Sequence, residues 1–399
     1  MSHNSGIATT LGERNLLAHI QLYLGHCQYV FGWLDQATET CTNAAKLNEA
    51  VGSDIYAGAA YCVLQWTHFY FGNFEQALSW QEPALQRLRR YFDLRWYSWS
   101  LAAASLSYAA SGRCREAAQE ARNEIDTAAE YGDNSLGAFA HLVARFVYVY
   151  GGDYAKAIEH AQIALEKAPT PADKVWAQTC LGFACCRDGQ AHKAVDLLAT
   201  VAPMYDATRF VLGQVMASAN LGEAYWRAGE FDLAEQTLQK GLALAGSVGM
   251  KFYGGYMRRL QGEVALARNP QQAGEPFAVP HFEAAITDLR DIKAEVELAL
   301  TYVGYGRLHR QQGRTAEARD YLTRALSIFE RLGTLDDDII PFLDFGPHGF
   351  KHVVVGTRER GKVQAQGSRH GGPSEDESAS HFSPHRSTLG DTALWRSID

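Results

Sequence analysis

The sequence predicts an all-α solenoid of stacked helical hairpins, and three observations lead to that fold class. A glycine followed five residues later by an alanine recurs along the chain, and in a regular series of seven such pairs the glycines lie 40, 40, 40, 37, 40 and 84 residues apart. Alanine, leucine, glutamine and glutamate recur while valine and isoleucine are sparse, as is typical of helices. No strand-rich segment is readable. A regular period in a chain of 399 residues indicates a repeat architecture that grows by stacking.

The glycine–alanine pairs mark the turn of each hairpin. Small residues before the glycine, tyrosines between them and a second alanine after the first all recur at helical spacing. We therefore expect the glycine to end one helix in a left-handed conformation, and the alanines to let the second helix approach closely. The pairs are Gly32/Ala37, Gly72/Ala77, Gly112/Ala117, Gly152/Ala157, Gly189/Ala194, Gly229/Ala234 and Gly313/Ala318.

Helix pairs are predicted on both sides of these turns. In the seventh pair Asn269 replaces the glycine, and an insertion from Pro270 to Pro276 predicts a loop, because proline is poorly tolerated inside helices. We expect a flexible N-terminus at 1–12, a solenoid of about eight repeats at 13–335, and a disordered tail at 336–399 that is rich in Gly, Ser and His. The predicted pairs are 13–51, 53–91, 93–131, 133–168, 173–205, 209–248, 250–292 and 293–332.

The repeat resembles the tetratricopeptide repeat, whose pattern runs small-x-x-Tyr, then Gly-x-Tyr-x-x-Ala. Tyr148, Gly152, Tyr154 and Ala157 match that pattern well. The family's repeat has 34 residues, so a period near 40 implies roughly one extra turn spread over the two helices. The resemblance implies a right-handed superhelix. Long repeats of this kind, especially at 280–335, are similar to the C-terminal repeats of bacterial signalling ATPases of the maltose-regulon activator type and of predicted ATPase/adenylate cyclase proteins.

Charge and cysteine content bear on partners and compartment. A net charge of −8 argues against general affinity for nucleic acid or anionic membrane, and no signal peptide or membrane span is readable. The seven cysteines are odd in number and form no Cys-x-x-Cys pair, which indicates reduced thiols. We expect a cytoplasmic protein that has neither a membrane nor a nucleic acid as its direct partner.

Motifs for chemistry are absent from the sequence. It contains no Gly-x-x-x-x-Gly-Lys-Ser/Thr string for phosphate binding and no His-Glu-x-x-His zinc helix. His19 and His26 lie seven residues apart and can share a helix face, either as metal ligands or as simple surface or groove histidines. We therefore expect no catalytic residue, no metal and no cofactor.

The resemblance also implies which residues line the concave face. In the family, the first helix of each pair does so at fixed offsets before the turn glycine. Here those offsets select an aromatic set, which is either core packed between long helices or an exposed channel for an apolar or amphipathic helix. The partner-binding groove predicted in this way contains Trp66, Phe69, Tyr70, Trp99, Leu106, Phe139, Phe146, Tyr150, Trp176, Phe183 and Trp226.

The predicted function is that of a non-catalytic interaction or sensory scaffold for a protein or peptide partner, as the repeat module of a bacterial signalling ATPase or adenylate cyclase system. Charged positions at the C-terminal end of the groove are expected to fix the polarity of a bound segment: Arg187, Glu223, Arg227, Arg307 and Arg310. No capping helix is readable, which leaves the C-terminal end for self-association. The alternatives are a small-ligand receptor or enzyme with an aromatic pocket, and an orphaned fragment without separate activity.

Overall fold

The computed structural model describes residues 13–91, 93–268 and 277–334. Within these ranges the chain is helix and turn, without a strand. The predicted N-terminus at 1–12, the loop from Pro270 to Pro276 and the predicted tail at 336–399 lie outside the described residues.

Eight helical hairpins follow one another along the described residues, and they confirm the all-α tetratricopeptide-like solenoid. Their limits agree with the predicted pairs to within three residues. The pairs are α1 (Arg14–Val30) with α2 (Leu34–Ala50); α3 (Asp54–Phe71) with α4 (Phe74–Ser79) and α5 (Gln81–Tyr91); α6 (Leu94–Ala110) with α7 (Cys114–Tyr131); α8 (Asn134–Gly151) with α9 (Tyr154–Lys167); α10 (Pro171–Arg187) with α11 (Ala191–Thr208); α12 (Val211–Arg227) with α13 (Phe231–Val248); α14 (Lys251–Arg268) with α15 (Val279–Asp291); and α16 (Glu295–Gln311) with α17 (Thr315–Leu332).

The turn glycines adopt the predicted conformation. All seven have a positive φ, between 74° and 82°. Within each hairpin the two helices approach closely where the small residue faces the second helix: a Cβ on Gly222 would lie 2.5 Å from Leu238, and one on Gly182 would lie 2.7 Å from Leu198. The seven alanines that follow the glycines are at most 1% exposed. The glycine–alanine pattern therefore acts through close helix packing, as expected.

The second helix of the second hairpin is divided in two. Pro83 has no backbone N–H to donate to the carbonyl of Ser79, and its ring crowds that carbonyl. Helix α4 accordingly ends at Ser79, and α5 begins at Gln81.

The superhelix winds tightly enough for distant hairpins to touch. Gly32 in the first hairpin lies against Val211 in the sixth, and Gly72 in the second lies against Ile292 in the seventh. In the same way, Gly112 in the third hairpin lies against the eighth. The first helices face inward, so this winding brings their side chains together around the superhelix axis.

Candidate binding cleft

Most of the predicted groove aromatics are packed in the interior of the superhelix. Six of them are at most 6% exposed: Trp66, Phe69, Tyr70, Phe146, Tyr150 and Phe183. Leu106 is 9% exposed. For these positions the structure supports ordinary core packing and corrects the expectation of a channel that is open along its length. Trp99, Phe139, Trp176 and Trp226 remain half-buried.

Contacts between turns of the superhelix close the channel. The Tyr70 hydroxyl lies 3.9 Å from the sulfur of Met216, although the two residues are 146 positions apart. The ring centroids of Phe69 and Tyr150 lie 6.4 and 6.2 Å from that of Phe252. Side chains that would line a groove in an open superhelix therefore pack against the first helices of later hairpins.

An open recess remains where the N-terminal ends of α6, α8 and α10 meet the C-terminal ends of α1 and α11. One part, of about 700 Å³, lies between α6, α8 and α10 and is walled by Trp99, Phe139 and Trp176. A second part, of about 470 Å³, lies between α1, α6, α10 and α11 and includes Tyr29 and Phe210. Trp99 and Trp176 line both parts. We call the two together the aromatic cleft.

The polar groups of the aromatic cleft are few, and several of them cap helices. Asp133 accepts hydrogen bonds from the backbone N–H groups of Ser135 and Leu136 at 2.8 and 2.9 Å. Thr170 and Asp173 form a capping box at the start of α10. Such caps satisfy backbone donors that would otherwise be unpaired. The cleft is therefore mainly apolar, with an exposed guanidinium at its rim, that of Arg95.

A buried ion-pair network occupies the interior of the C-terminal half. Glu297 accepts from Arg187 and from Arg259, each at 3.0 Å, and its side chain is fully buried. Arg187 and Arg227 both pair with Glu223 at 3.0 Å. Because Arg187 and Glu297 are 110 residues apart, the network joins successive turns of the superhelix.

This network corrects the expected role of the charged positions. Arg187 and Glu223 are 5% and 0% exposed, so they stabilise the interior and present no surface to a bound segment. Arg227 pairs with Glu223, and Arg307 pairs with Glu263. Only Arg310 among the five predicted positions is exposed. The reason is again the tight winding, which brings α16 over the end of α10.

The network keeps the Glu223 carboxylate charged. Burial raises the pKa of Glu223, but Arg187, Arg227 and Arg259 more than offset it and lower that pKa to about 2. The Tyr256 hydroxyl donates to the same carboxylate. Burial, followed by the charge of Glu223, raises the pKa of Tyr256. The tyrosine is therefore a proton donor in the network and remains neutral.

Glu124 and Arg145 are buried outside this network. Glu124 accepts a hydrogen bond from the Ser98 hydroxyl at 2.7 Å, and burial raises its pKa to about 8. Arg145 is 6% exposed and donates to the sulfur of Cys180 at 2.8 Å. Within the described ranges, no carboxylate forms a salt bridge with Arg145. Glu124 thus avoids a buried charge by holding a proton, whereas Arg145 keeps its charge.

The predicted histidine pair does not converge on one site. The imidazole of His19 lies 3.3 Å from the Ser53 hydroxyl, whereas His26 packs against Trp96 and Trp99 and lines the aromatic cleft. Burial and Arg95 lower the pKa of His26. Among the described residues, no group of three or more His, Cys, Asp or Glu side chains is arranged to hold a metal ion.

No helix in the described ranges is long and apolar enough to cross a membrane. All seven cysteines fall within these ranges and form no disulfide bond.

Family models support the repeat assignment. Two tetratricopeptide repeat models match this sequence, at residues 173–247 and 298–332. No curated protein is significantly similar in sequence. The chain thus carries tetratricopeptide repeats, and neither comparison indicates a relationship to the maltose-regulon activator type or to adenylate cyclases.

Solved structures with the same fold include bacterial regulators. A Rap protein complexed with competence and sporulation factor is 14% identical, with a TM-score of 0.58, over 79% of this chain and 98% of its own. The Rap conjugation gene regulator of the plasmid pLS20, in complex with the Phr* peptide, is 12% identical, with a TM-score of 0.57, over 83% and 98%. Aspartyl phosphate phosphatase F from Bacillus subtilis is 14% identical, with a TM-score of 0.50, over 74% of each chain. At these identities the likeness concerns the fold.

Sequence reasoning missed the residues that close the superhelix. Phe252, Glu297 and Arg145 all fall outside the transferred offsets. The sequence carried a signal for Glu297 and Arg145, since both are charges within otherwise apolar helical segments, but none for Phe252. Such a charge is found in a core only when it is paired or serves a purpose.

Proposed function

We propose that this chain is a non-catalytic interaction scaffold that binds an apolar or amphipathic peptide segment of a protein partner in the aromatic cleft. The observation that carries the proposal is the pair Trp99 and Trp176, half-buried on the walls of both parts of an otherwise apolar recess. Large aromatic anchors in a recess supply most of the affinity in such interfaces.

The size and composition of the cleft support a peptide as its occupant. Its two parts, of about 700 and 470 Å³, fall in the range of sites that enclose a ligand of several side chains. An exposed apolar recess of this kind marks an interaction site. Two of the solved structures that share the fold are complexes, one with competence and sporulation factor and one with the Phr* peptide.

The setting that we propose is the cytoplasm of a bacterium, where the scaffold would serve a signalling system. Its association with an ATPase or adenylate cyclase is part of this proposal and rests on the resemblance of residues 280–335. Reading frames next to the gene test this association directly. An ATPase or cyclase frame that ends just upstream would support it, and unrelated neighbours would count against it.

Selection from a random peptide library on the full chain tests the binding function. A selected peptide should lose affinity about tenfold or more for the variant Trp176→Ala, because a central anchor is removed. Trp226→Ala is the matched control, since Trp226 is half-buried but does not line the aromatic cleft. Equal affinity for both variants, or no selected peptide, would contradict the proposal.

A second function is favoured by one observation. His26 lines the smaller part of the cleft with its pKa lowered, which leaves a neutral imidazole among aromatic rings at neutral pH. That arrangement also suits a small-ligand receptor or an enzyme. Binding of small aromatic compounds that depends on His26, in the absence of any selected peptide, would favour this alternative.

A further inference from the structure

Arg145 is a buried cation that has no counter-charge among the described residues. Arg187 and Arg259 are similarly buried, but each pairs with a carboxylate at 3.0 Å. Among the described residues, Arg145 has the Cys180 sulfur and the rings of Phe146 and Phe183 as neighbours, and its Nε has no hydrogen-bond partner.

The Cys180 thiol does not neutralise this charge. Burial raises the pKa of Cys180, with only a partial opposing effect of Arg145, so the thiol carries no charge at neutral pH. A buried charge that lacks both a partner and a complete set of hydrogen bonds costs several kcal/mol of stability. An apolar side chain of similar length would fill the same space without that cost, so packing alone does not account for an arginine at this position.

Arg145 lies directly behind the wall of the aromatic cleft. It lines a narrow inner cavity of about 30 Å³, and Phe139, Leu142 and Trp176 line both this cavity and the larger part of the cleft. Cys180 accepts a hydrogen bond from Arg145, and Trp176 packs against the buried cluster that contains Cys180. Phe139 and Trp176 are half-buried and line both spaces, so a shift of their rings would join the cleft to the inner cavity.

We propose that Arg145 is the anchor for a carboxylate of the peptide segment that occupies the aromatic cleft, and this proposal rests on the peptide-binding function above. The carboxylate accepts from the free Nε and a terminal nitrogen, the paired geometry that guanidinium and carboxylate groups favour. Trp99, Phe139 and Trp176 hold the apolar body of the segment.

The dimensions of the inner cavity favour a carboxylate over a larger anion. A volume of about 30 Å³ holds little more than a water molecule, so a flat carboxylate enters with a smaller displacement than a tetrahedral phosphate. The partner therefore presents an acidic side chain, or its own C-terminus, flanked by apolar residues.

The test uses library peptides selected on the wild-type chain and paired variants. Selected peptides should share one carboxylate, and replacing it with the amide should weaken binding to the wild type about tenfold or more. Replacing the peptide carboxylate with the amide should change the affinity for Arg145→Met little, because the guanidinium that binds the carboxylate is absent from that variant. Arg95→Met is the matched control: it removes the rim arginine and should leave the carboxylate effect intact.

Each outcome has a defined meaning. The role of Arg145 would be overturned, with the peptide-binding function left in place, if the selected peptides require no carboxylate. It would also be overturned if replacing the carboxylate with the amide still weakens binding to Arg145→Met, or no longer weakens binding to Arg95→Met. If no peptide is selected, both proposals fall. In that case, 3-phenylpropionate raising the melting temperature of the wild type but not of Arg145→Met would reassign the cleft to small carboxylates.

A stability measurement requires no ligand. Without a peptide, Arg145→Met should melt at the same or a higher temperature than the wild type, because it removes an uncompensated charge. Arg145→Lys keeps the charge, and it should show no such gain. A melting temperature of Arg145→Met that is several degrees lower would mean that the fold itself uses the charge, and it would overturn the proposal.

Discussion

Replacing Glu297 with glutamine should loosen the contact between turns of the superhelix. Glu297 is fully buried and receives the guanidinium groups of Arg187 and Arg259, each at 3.0 Å, while the Tyr150 hydroxyl donates to it at 3.4 Å. These partners come from the fourth, fifth and seventh hairpins, and Glu297 belongs to the eighth. One carboxylate therefore holds groups from four hairpins together.

The expected cost follows from the burial of the partners. Glutamine keeps the size of the side chain but removes the negative charge, so Arg187 keeps its pair with Glu223 while Arg259 loses the carboxylate that it is hydrogen-bonded to. Removing one partner of a buried ion pair costs about 3–5 kcal/mol, because the remaining charge is neither solvated nor paired. In a chain of this length that cost corresponds to a fall in melting temperature of roughly 5 °C.

A comparison of the melting temperatures of Glu297→Gln and Glu295→Gln in thermal unfolding checks this estimate. Glu295 lies on the same helix and pairs with Arg331 at 2.8 Å, but at the surface, where such pairs contribute about 0–1 kcal/mol. The control should therefore melt close to the wild type. If the two variants have the same melting temperature, the buried network does not hold the turns together, and our account of the closed interior is refuted.

Two further predictions concern the winding and a buried acid. Gly72→Ala and Gly152→Ala impose the same left-handed strain of about 1–2 kcal/mol, but only the Cβ at position 72 would meet a neighbour, Ile292 at 2.9 Å. Gly72→Ala should therefore be less stable than Gly152→Ala by a further ~1–3 kcal/mol in denaturant unfolding. Equal losses of stability would contradict the contact between turns. For Glu124, burial raises the folded-state pKa to about 8 from the ordinary 4.5, so the folded state holds a proton that the unfolded state releases. The free energy of unfolding should therefore fall between about pH 4.5 and 8, by up to 1.36 kcal/mol per unit of the shift, and Glu124→Gln should remove that slope. If the pH dependence of the free energy of unfolding is retained in Glu124→Gln and lost in the exposed control Glu130→Gln, another group carries the proton.

The local part of the fold was readable from the sequence because it depends on short separations. The turn glycines need a left-handed backbone, and the alanines and small residues that face each other lie within one hairpin of about 40 residues. Gly182 and Leu198, for example, meet across a single turn. Helix limits, repeat number and fold class therefore follow from residue types and spacing alone.

Only the tertiary structure decided which aromatic side chains are exposed. That depends on the pitch of the superhelix, which is set by contacts between residues more than a hundred positions apart, such as Tyr70 with Met216 and Arg187 with Glu297. Phe183 and Trp176 satisfy the same kind of offset in the sequence, yet Phe183 is 4% exposed inside the superhelix and Trp176 lines the open cleft. A repeat pattern reflects the residues that each hairpin requires in order to pack against the next one. The small rotation from one hairpin to the next is a sum of many packing contacts, and it alone determines where the interior closes and where it stays open.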